Sequence, residues 1–185
     1  MVCSGCGAAV GYGEPYPFRC PNADAQPSVD HVLVRELDLA SVAFPDAADD
    51  AVPASFVRYR GLFRSHHLAL QGGLDDDAYV RLVEELDDAV AGVDGYGFRV
   101  TPFVREDELS DRLGFSPNGG VWVKNETGNV SGSHKARHLM GLAIHLAVAE
   151  RIGLVDASDR DARPLAIASC GNATRPTADD RVADE

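Results

Sequence analysis

The sequence predicts an α/β protein with an open parallel sheet, flanking helices and a small cysteine-rich appendage at its N-terminal end. The sheet is predicted by the order of three segments. An apolar helical pattern over residues 134–153 separates two short apolar runs, residues 121–124 and 164–169. This order is typical of a βαβ unit, whose strands are parallel and buried. The appendage is predicted by three cysteines within the first 20 residues: Cys3, Cys6 and Cys20.

Acidic side chains outnumber basic ones, 29 to 17, and give the chain a net charge of −12. All the basic side chains are arginine except Lys124 and Lys135. Excess carboxylate with scarce lysine is typical of proteins that stay soluble in high salt, so we predict a halophilic protein rather than an ordinary acidic one. The negative charge also argues against a nucleic-acid partner, because phosphate binding needs a basic face.

A chain of 185 residues has room for one good core and a small appendage, and its hydrophobic content of 45% supports a folded protein. The sequence contains neither a long apolar run nor a signal peptide. We therefore expect a cytoplasmic protein with reduced cysteines and no membrane partner.

Cys3, Cys6 and Cys20 are candidate metal ligands, because a CxxC knuckle followed by a third cysteine is typical of structural zinc sites. Such a zinc has four ligands, and no cysteine stands at residues 22–24, where the fourth is expected. His31 can complete the set, although its spacing is poor. Two interpretations stay open: a small zinc-stapled appendage, or a degenerate ribbon that holds no metal.

Between the appendage and the sheet we expect a strand at residues 31–34, a linker that is rich in Ala, Asp and Pro up to Pro53, and a helix over residues 75–91. In the helix, apolar residues recur three and four apart and acidic residues occupy the first turn. The adjacent residues His66 and His67 point in different directions and lack a spaced partner, so we expect surface or loop positions rather than metal ligands.

The sheet region begins at Thr101-Pro102, with a short helix predicted near residues 106–113 and Gly114 as its cap. After the strand at residues 121–124 comes a loop of small residues, in which Ser131 or Ser133 can cap the next helix.

The start of that next helix favours anions, phosphate above all. The sequence places Lys135 there. The helix dipole and partial burial both disfavour an ammonium at this position, so we expect free-amine character at Lys135. A free amine beside an anion site is what a Schiff base to a phosphorylated aldehyde needs.

Two motifs in this region resemble the fold-type II pyridoxal-phosphate (PLP) enzymes, a superfamily that includes threonine synthase, serine/threonine dehydratase, cysteine synthase and the tryptophan synthase β chain. The first motif is Lys124-Asn125-Glu126 followed by Gly132-Ser133-His134-Lys135-Ala136-Arg137. The second is Ser169-Cys170-Gly171-Asn172-Ala173, which is similar to the family's Ser-x-Gly-Asn loop. Their order, joined by one helix and one strand, makes the pair more specific than either motif alone.

The resemblance implies a PLP-dependent lyase or synthase that acts on amino acids by β-replacement or elimination. It implies that Lys135 holds PLP as an internal aldimine and moves the proton at the substrate α-carbon. Ser133 and His134 would lie at the cofactor, His134 near its phosphate, and Asn172 would meet the pyridine ring. The substrate carboxylate would be wrapped by one loop: Ser169, Cys170, Gly171 and Asn172.

The resemblance covers roughly residues 55–174, and the family continues with a second half-domain that carries a Gly-rich phosphate loop. We therefore expect a truncated enzyme that dimerises or needs a complementing chain. The alternatives are a non-catalytic remnant and a zinc-ribbon interaction module. The expected regions are a degenerate zinc-ribbon-like segment (1–30), a strand, linker and helix region (31–100), a partial PLP-binding α/β domain (101–174) and a disordered tail (175–185).

Overall fold

The computed structural model describes residues 1–38, 40, 42–45, 55–156 and 158. Within them the chain is mixed α/β, with two small antiparallel sheets and five α-helices. No helix among these residues is both long enough and apolar enough to cross a membrane. The elements in chain order are β1 (Val2–Cys3), β2 (Leu33–Val34), α1 (Ser55–Arg58), α2 (Arg64–Gln71), α3 (Asp76–Asp94), β3 (Phe103–Arg105), α4 (Asp107–Arg112), β4 (Trp122–Lys124) and α5 (Lys135–Arg151).

The chain forms two compact units. The first comprises the described residues within Met1–Asp49, Tyr59–Leu82 and Ile144–Pro164. The second comprises those within Asp50–Arg58 and Val83–Ala143. Helices α3 and α5 therefore each contribute residues to both units.

In the first unit, β1 and β2 pair antiparallel, with Cys3 opposite Leu33. Gly5 lies in the turn after β1, against the chain that leads into β2, where a Cβ at this position would overlap the carbonyl oxygen of Asp30. Only glycine permits this approach, because every other residue carries that Cβ. The strand predicted at residues 31–34 is thus confirmed at its last two positions, Leu33 and Val34.

The helix predicted over residues 75–91 is confirmed as α3. Asp75 starts it, because its carboxylate accepts the backbone N–H of Ala78 at 2.7 Å, as an N-terminal cap does. Tyr79 and Val83, one helical turn apart, are both buried. The hydroxyl groups of Tyr79 and Ser65 lie 3.0 Å apart and form a hydrogen bond in the core of the first unit.

The adjacent histidines lie on helix α2 and not in a loop, which corrects the sequence-based expectation. They do point in different directions: His66 bonds Asp76 at 2.8 Å, whereas His67 bonds the carbonyl oxygen of Gly61 at 2.8 Å. Arg60 bonds the same Asp76 carboxylate through two nitrogens, each at 2.7 Å. The Arg60–Asp76–His66 cluster therefore joins the start of α3 to α2.

In the second unit, β3 and β4 form an antiparallel pair with Val104 opposite Val123. Helix α4 lies between them in sequence, and Ser110 of α4 is buried. The hydroxyl of Ser110 donates to the carbonyl oxygen of Glu106 at 2.6 Å and accepts the N–H of Val121 at 3.0 Å. The predicted helix near residues 106–113 and the predicted strand are confirmed, to within one or two residues at each end.

Both described sheets are antiparallel, and β4 pairs with β3. The apolar run at residues 164–169, which the sequence predicts as a parallel partner, lies outside the described residues, as does the predicted tail at residues 175–185. The open parallel sheet accordingly stays a prediction.

The cluster around Asp76 predicts how the stability of the fold depends on pH. Hydrogen bonds from Arg60 lower the pKa of Asp76 from 3.8 to about 2, with His66 adding to the effect. Because the folded-state pKa lies below the ordinary value, the carboxylate stabilises the fold above about pH 4, and this stabilisation is lost as the pH falls towards 2. In urea denaturation, Asp76→Asn should unfold at lower urea than the wild type at pH 7, and this difference should shrink below pH 4.

Asp77→Asn is the matched control, because Asp77 belongs to the same helical turn but is exposed. It should shift the urea midpoint at pH 7 much less than Asp76→Asn. Equal midpoints for the wild type and Asp76→Asn at pH 7 would contradict the stabilising role of the cluster.

Candidate metal centre and lysine loop

The register of the first sheet brings a histidine onto the cysteine knuckle of residues 3–6. Cys3 is opposite Leu33 in the antiparallel pair, and His31 lies two residues before Leu33, beside the knuckle. The N–H of Ser4 donates to the carbonyl oxygen of Val32 at 2.9 Å and holds this alignment. Gly5 lies against the carbonyl group of Asp30, the residue that precedes His31.

Four potential metal-ligand atoms converge there, from Cys3, Cys6, Cys20 and His31, all within 4.8 Å of one another. The sulfur of Cys3 lies 3.4 Å from Nδ1 of His31, and the sulfurs of Cys6 and Cys20 lie 3.5 Å apart. A disulfide has a sulfur–sulfur distance of about 2.05 Å, so these cysteines are free thiols. Around a tetrahedral zinc with ordinary bond lengths, the ligand atoms lie roughly 3.5–3.8 Å apart. The cluster thus has the donor set and the size for such an ion.

The other ring nitrogen of His31 supports the same chemistry. Nε2 of His31 lies 3.0 Å from the carbonyl oxygen of Gln26 and donates its hydrogen to it. This bond fixes the ring and directs Nδ1 towards the sulfur of Cys3. Histidines that ligate metals commonly donate their second N–H to a carbonyl or carboxylate in this manner.

The sulfur atoms also accept hydrogen bonds from Asn22, which stands where the sequence pattern expects a fourth cysteine. Its backbone N–H donates to the sulfur of Cys20 at 3.4 Å and its side-chain amide to the sulfur of Cys6 at 3.7 Å. N–H groups directed at sulfur stabilise thiolates. The fourth potential ligand therefore comes from a different part of the chain, from His31 just before β2.

The protonation of the cluster reflects these contacts. Burial raises the pKa of the Cys3 thiol, but hydrogen bonds from backbone N–H groups of the knuckle and from His31 outweigh it, and the pKa is lowered to about 6. Burial, followed by the neighbouring thiols, raises the pKa of Cys20. The hydrogen bond with Cys3 raises the pKa of His31. A metal ion would displace the remaining protons from this cluster on binding.

The sequence identified the three cysteines as candidate ligands and named His31 as a residue that can complete the set, although its distance from Cys20 along the chain is atypical. The one signal for it was the short strand at residues 31–34. If the pairing of this strand with Val2 and Cys3 had been known from the sequence, His31, the first residue of the predicted strand, would have been placed beside the knuckle. A pairing of only two residues is too short to leave a recognisable pattern in the sequence.

The second candidate site begins where β4 ends. A 3-10 turn, Val130–Gly132, precedes α5, and in it Ser131 and Gly132 adopt left-handed backbone angles, with φ of 52° and 60°. Such angles cost a residue with a Cβ about 1 kcal/mol or more, so a serine in this conformation marks a constrained loop. The hydroxyl of Ser133 accepts the N–H of Lys135 at 3.2 Å, which confirms the predicted cap.

Lys135 is the first residue of α5, a helix of 17 residues that confirms the predicted apolar helix. Its side chain is half-buried and makes no hydrogen bond or ion pair with any residue that the structure describes. His134, just before it, is exposed. Ser169, Cys170, Gly171 and Asn172 lie outside the described residues, so the distance from Lys135 to Asn172 stays a prediction.

The loop also contains buried polar atoms without partners. The side-chain amide of Asn129 is fully buried, and neither its oxygen nor its nitrogen has a hydrogen-bond partner among the described residues; the same holds for the hydroxyl of Ser131. Buried polar groups are nearly always satisfied in native proteins, and exceptions often bind a water, an ion or a ligand. The negative charge of Asp94 would repel an anion at this loop. Both carboxylate oxygens of Asp94 lie 3.2 Å from the backbone nitrogen of Ser131 and accept its N–H.

The other lysine, Lys124, is held by neighbours. Its ammonium donates to the carbonyl oxygen of Thr101 at 2.6 Å and lies 3.8 Å from the carboxylate of Glu126. That carboxylate also accepts the hydroxyl of Thr101 and the guanidinium of Arg137, the latter at 2.9 Å. Burial raises the pKa of Glu126, but the bonds from Thr101 and Arg137 outweigh it and leave the pKa lowered. Glu126 thus joins the start of the sheet region, the end of β4 and the first turn of α5.

Replacing Glu126 should loosen this part of the second unit. Glu126→Gln keeps the size of the side chain but removes the charge that Arg137 and Lys124 face, and charge-assisted hydrogen bonds contribute about 1.5–3 kcal/mol each. We expect a loss of free energy of unfolding of that order in urea denaturation. Glu108→Gln, an exposed carboxylate on α4, is the control and should change stability by less than about 0.5 kcal/mol. Equal losses for the two variants would contradict the role given to Glu126.

Comparisons with protein-family models, with curated proteins and with solved structures find no match to this chain. The chemistry of the two sites therefore carries the functional conclusion.

Proposed function

We propose that the second unit is the lysine-bearing part of a cytoplasmic PLP-dependent enzyme of fold-type II, which acts on amino acids by β-replacement or elimination. The observation that carries this proposal is the position of Lys135. Its amine is the one lysine side chain without a described partner, and it stands at the first residue of a long helix behind a loop with left-handed backbone angles.

The described residues fit a phosphorylated aldehyde in part. The first turn of α5 leaves backbone N–H groups without partners inside the helix, as phosphate sites do. The unsatisfied polar atoms of Asn129 and Ser131 lie in the same loop. Asp94 occupies one N–H of this loop, so the phosphate would have to be held by other groups, and a complementing chain or second copy is the expected source of them.

In this proposal PLP, when bound, supplies an electron sink for the carbanion that forms at the substrate α-carbon. With PLP bound, Lys135 would hold the cofactor through Nζ and would be the group that moves the α-proton of the substrate. Lys124 takes no part in the chemistry, because its ammonium is engaged by Thr101 and Glu126. By resemblance, Asn172 orients the ring, and Ser169, Cys170 and Gly171 hold the substrate carboxylate. A parallel pairing of residues 164–169 with β4 would bring that loop to the lysine edge of the sheet.

The low lysine content makes the test sharp, because Lys124, Lys135 and the N-terminal amine are the only amines in the chain. The full chain, kept in high salt, is incubated with PLP, reduced with borohydride, digested and mapped by mass spectrometry. We expect one pyridoxyl group, on Lys135, together with an absorption band of the imine before reduction. Lys135→Arg should lose both signals.

Lys124→Arg is the matched control and should keep the label on Lys135, since arginine preserves the positive charge beside Glu126. Labelling of Lys124 or of the N-terminal amine in preference to Lys135 would reject the proposal. An unlabelled, folded chain would instead support the non-catalytic remnant.

A second candidate function rests on the four converging ligand atoms. We propose that Cys3, Cys6, Cys20 and His31 bind one zinc ion in a closed, four-coordinate site that stabilises the first unit rather than performing catalysis. Closed sites with three thiolates and one imidazole are a common structural type. The carbonyl of Gln26, which fixes His31, supplies the outer support that such sites use.

Cobalt(II) reports the ligand set, because tetrahedral thiolate coordination gives intense visible bands and sulfur-to-metal charge transfer. We expect the metal-free full chain to take up one cobalt with such a spectrum and to exchange it for one zinc. His31→Ala should weaken cobalt binding at least about 10- to 100-fold, the loss that even an altered outer hydrogen-bond partner of a ligand produces. His138→Ala, an exposed histidine on α5, is the control and should leave the spectrum unchanged. An octahedral spectrum, or none, would reject the zinc centre.

A further inference from the structure

The loop between Cys6 and Cys20, residues 7–19, begins and ends next to two of the proposed metal ligands. It contains no helix or strand, and an isolated bridge between Val2 and Ala9 is its described sheet-like contact. Such a segment has little intrinsic stability, because few of its residues are fixed by repeating backbone hydrogen bonds. The distance between its two ends is set by the pair of sulfurs, 3.5 Å apart.

This loop contacts His145 of helix α5. Nε2 of His145, a buried histidine of α5, donates to the carbonyl oxygen of Pro15 at 3.0 Å. The ring of Phe18 meets the same imidazole edge-on, with centroids 5.9 Å apart and planes at 78°. Phe18 itself is half exposed. Pro15 and Phe18 thus both contact α5 through the side chain of His145.

The same loop contacts helix α2 at a second position. The guanidinium of Arg64 donates to the carbonyl oxygen of Gly11 at 2.8 Å and lies 5.1 Å from the centre of the Tyr12 ring. The loop therefore has one end fixed by the cysteines, one contact with α2 through residues 11 and 12, and one contact with α5 through residues 15 and 18.

We propose that metal binding at Cys3, Cys6, Cys20 and His31 stabilises the C-terminal half of α5 through the loop of residues 7–19. This inference rests on the proposed zinc centre. Closing the loop at Cys6 and Cys20 lowers its conformational entropy. A closed loop holds the carbonyl of Pro15 and the ring of Phe18 in place. Conformations in which the side chain of His145 is exposed to solvent then become less populated. Metal occupancy is thereby linked to the helix that begins with Lys135.

Hydrogen exchange measures this link directly in the full chain, with and without one equivalent of zinc after chelation. We expect zinc to slow exchange of the amides of residues 145–151 by about 5- to 150-fold, the range of ordinary coupling between sites. The amides of α4, which belong to the other unit, serve as the internal reference and should be little affected. Cobalt spectra on the same samples verify that the metal is bound.

Two loop variants separate the coupling from general stability. Phe18→Ala removes the ring contact with His145 but no metal ligand, so it should retain the cobalt spectrum and lose most of the zinc effect on residues 145–151. Tyr12→Ala removes the other exposed loop aromatic, which contacts Arg64, and should retain the zinc effect on α5.

A normal cobalt spectrum with unchanged exchange in residues 145–151 would overturn the coupling while leaving the zinc centre intact. Failure to bind metal would overturn both. An equal loss of the zinc effect in the two loop variants would also overturn the route through Phe18.

Discussion

Burial of one face of helix α5 is the interaction that holds the helix carrying Lys135 and His145 in place. Ala136, Met140, Ile144 and Val148 recur every four residues and are all at most 3% exposed. Fully burying a large apolar side chain stabilises a fold by about 1.5–3 kcal/mol, so this row can hold the helix without help from its polar residues. The first turn of the buried helix carries Lys135, and its second half carries His145.

The two lysines differ in environment rather than in chemistry. Lys124 lies between Thr101 and Glu126, which hold its ammonium through a hydrogen bond and an ion pair. Lys135 has no such partner among the described residues, and the start of a helix is unfavourable for a positive charge. In a chain that otherwise uses arginine for its positive charge, the lysine that is left free by its neighbours is the better candidate for amine chemistry.

Local patterns predicted the helices well, because helix formation depends on residues three and four apart. The periodic apolar residues of α3 and α5, the acidic first turn of α3 and Gly114 after α4 each identify an element or its end. The cluster of candidate metal ligands was predicted only in part. His31 joins it through the pairing of β1 with β2, in which Cys3 is opposite Leu33. The spacing of residues along the sequence does not predict such a contact.

The position of the cysteine centre along the chain has a consequence for biosynthesis. All four of its ligands lie between residues 3 and 31, whereas the histidine that rests on its loop is residue 145. Ribosomes add about 5–20 residues per second, so the nascent chain exposes the ligands roughly ten seconds before that histidine emerges. The amino-terminal cluster has time to capture an ion while the later helix is still being made. The helix would then meet a surface that is already assembled.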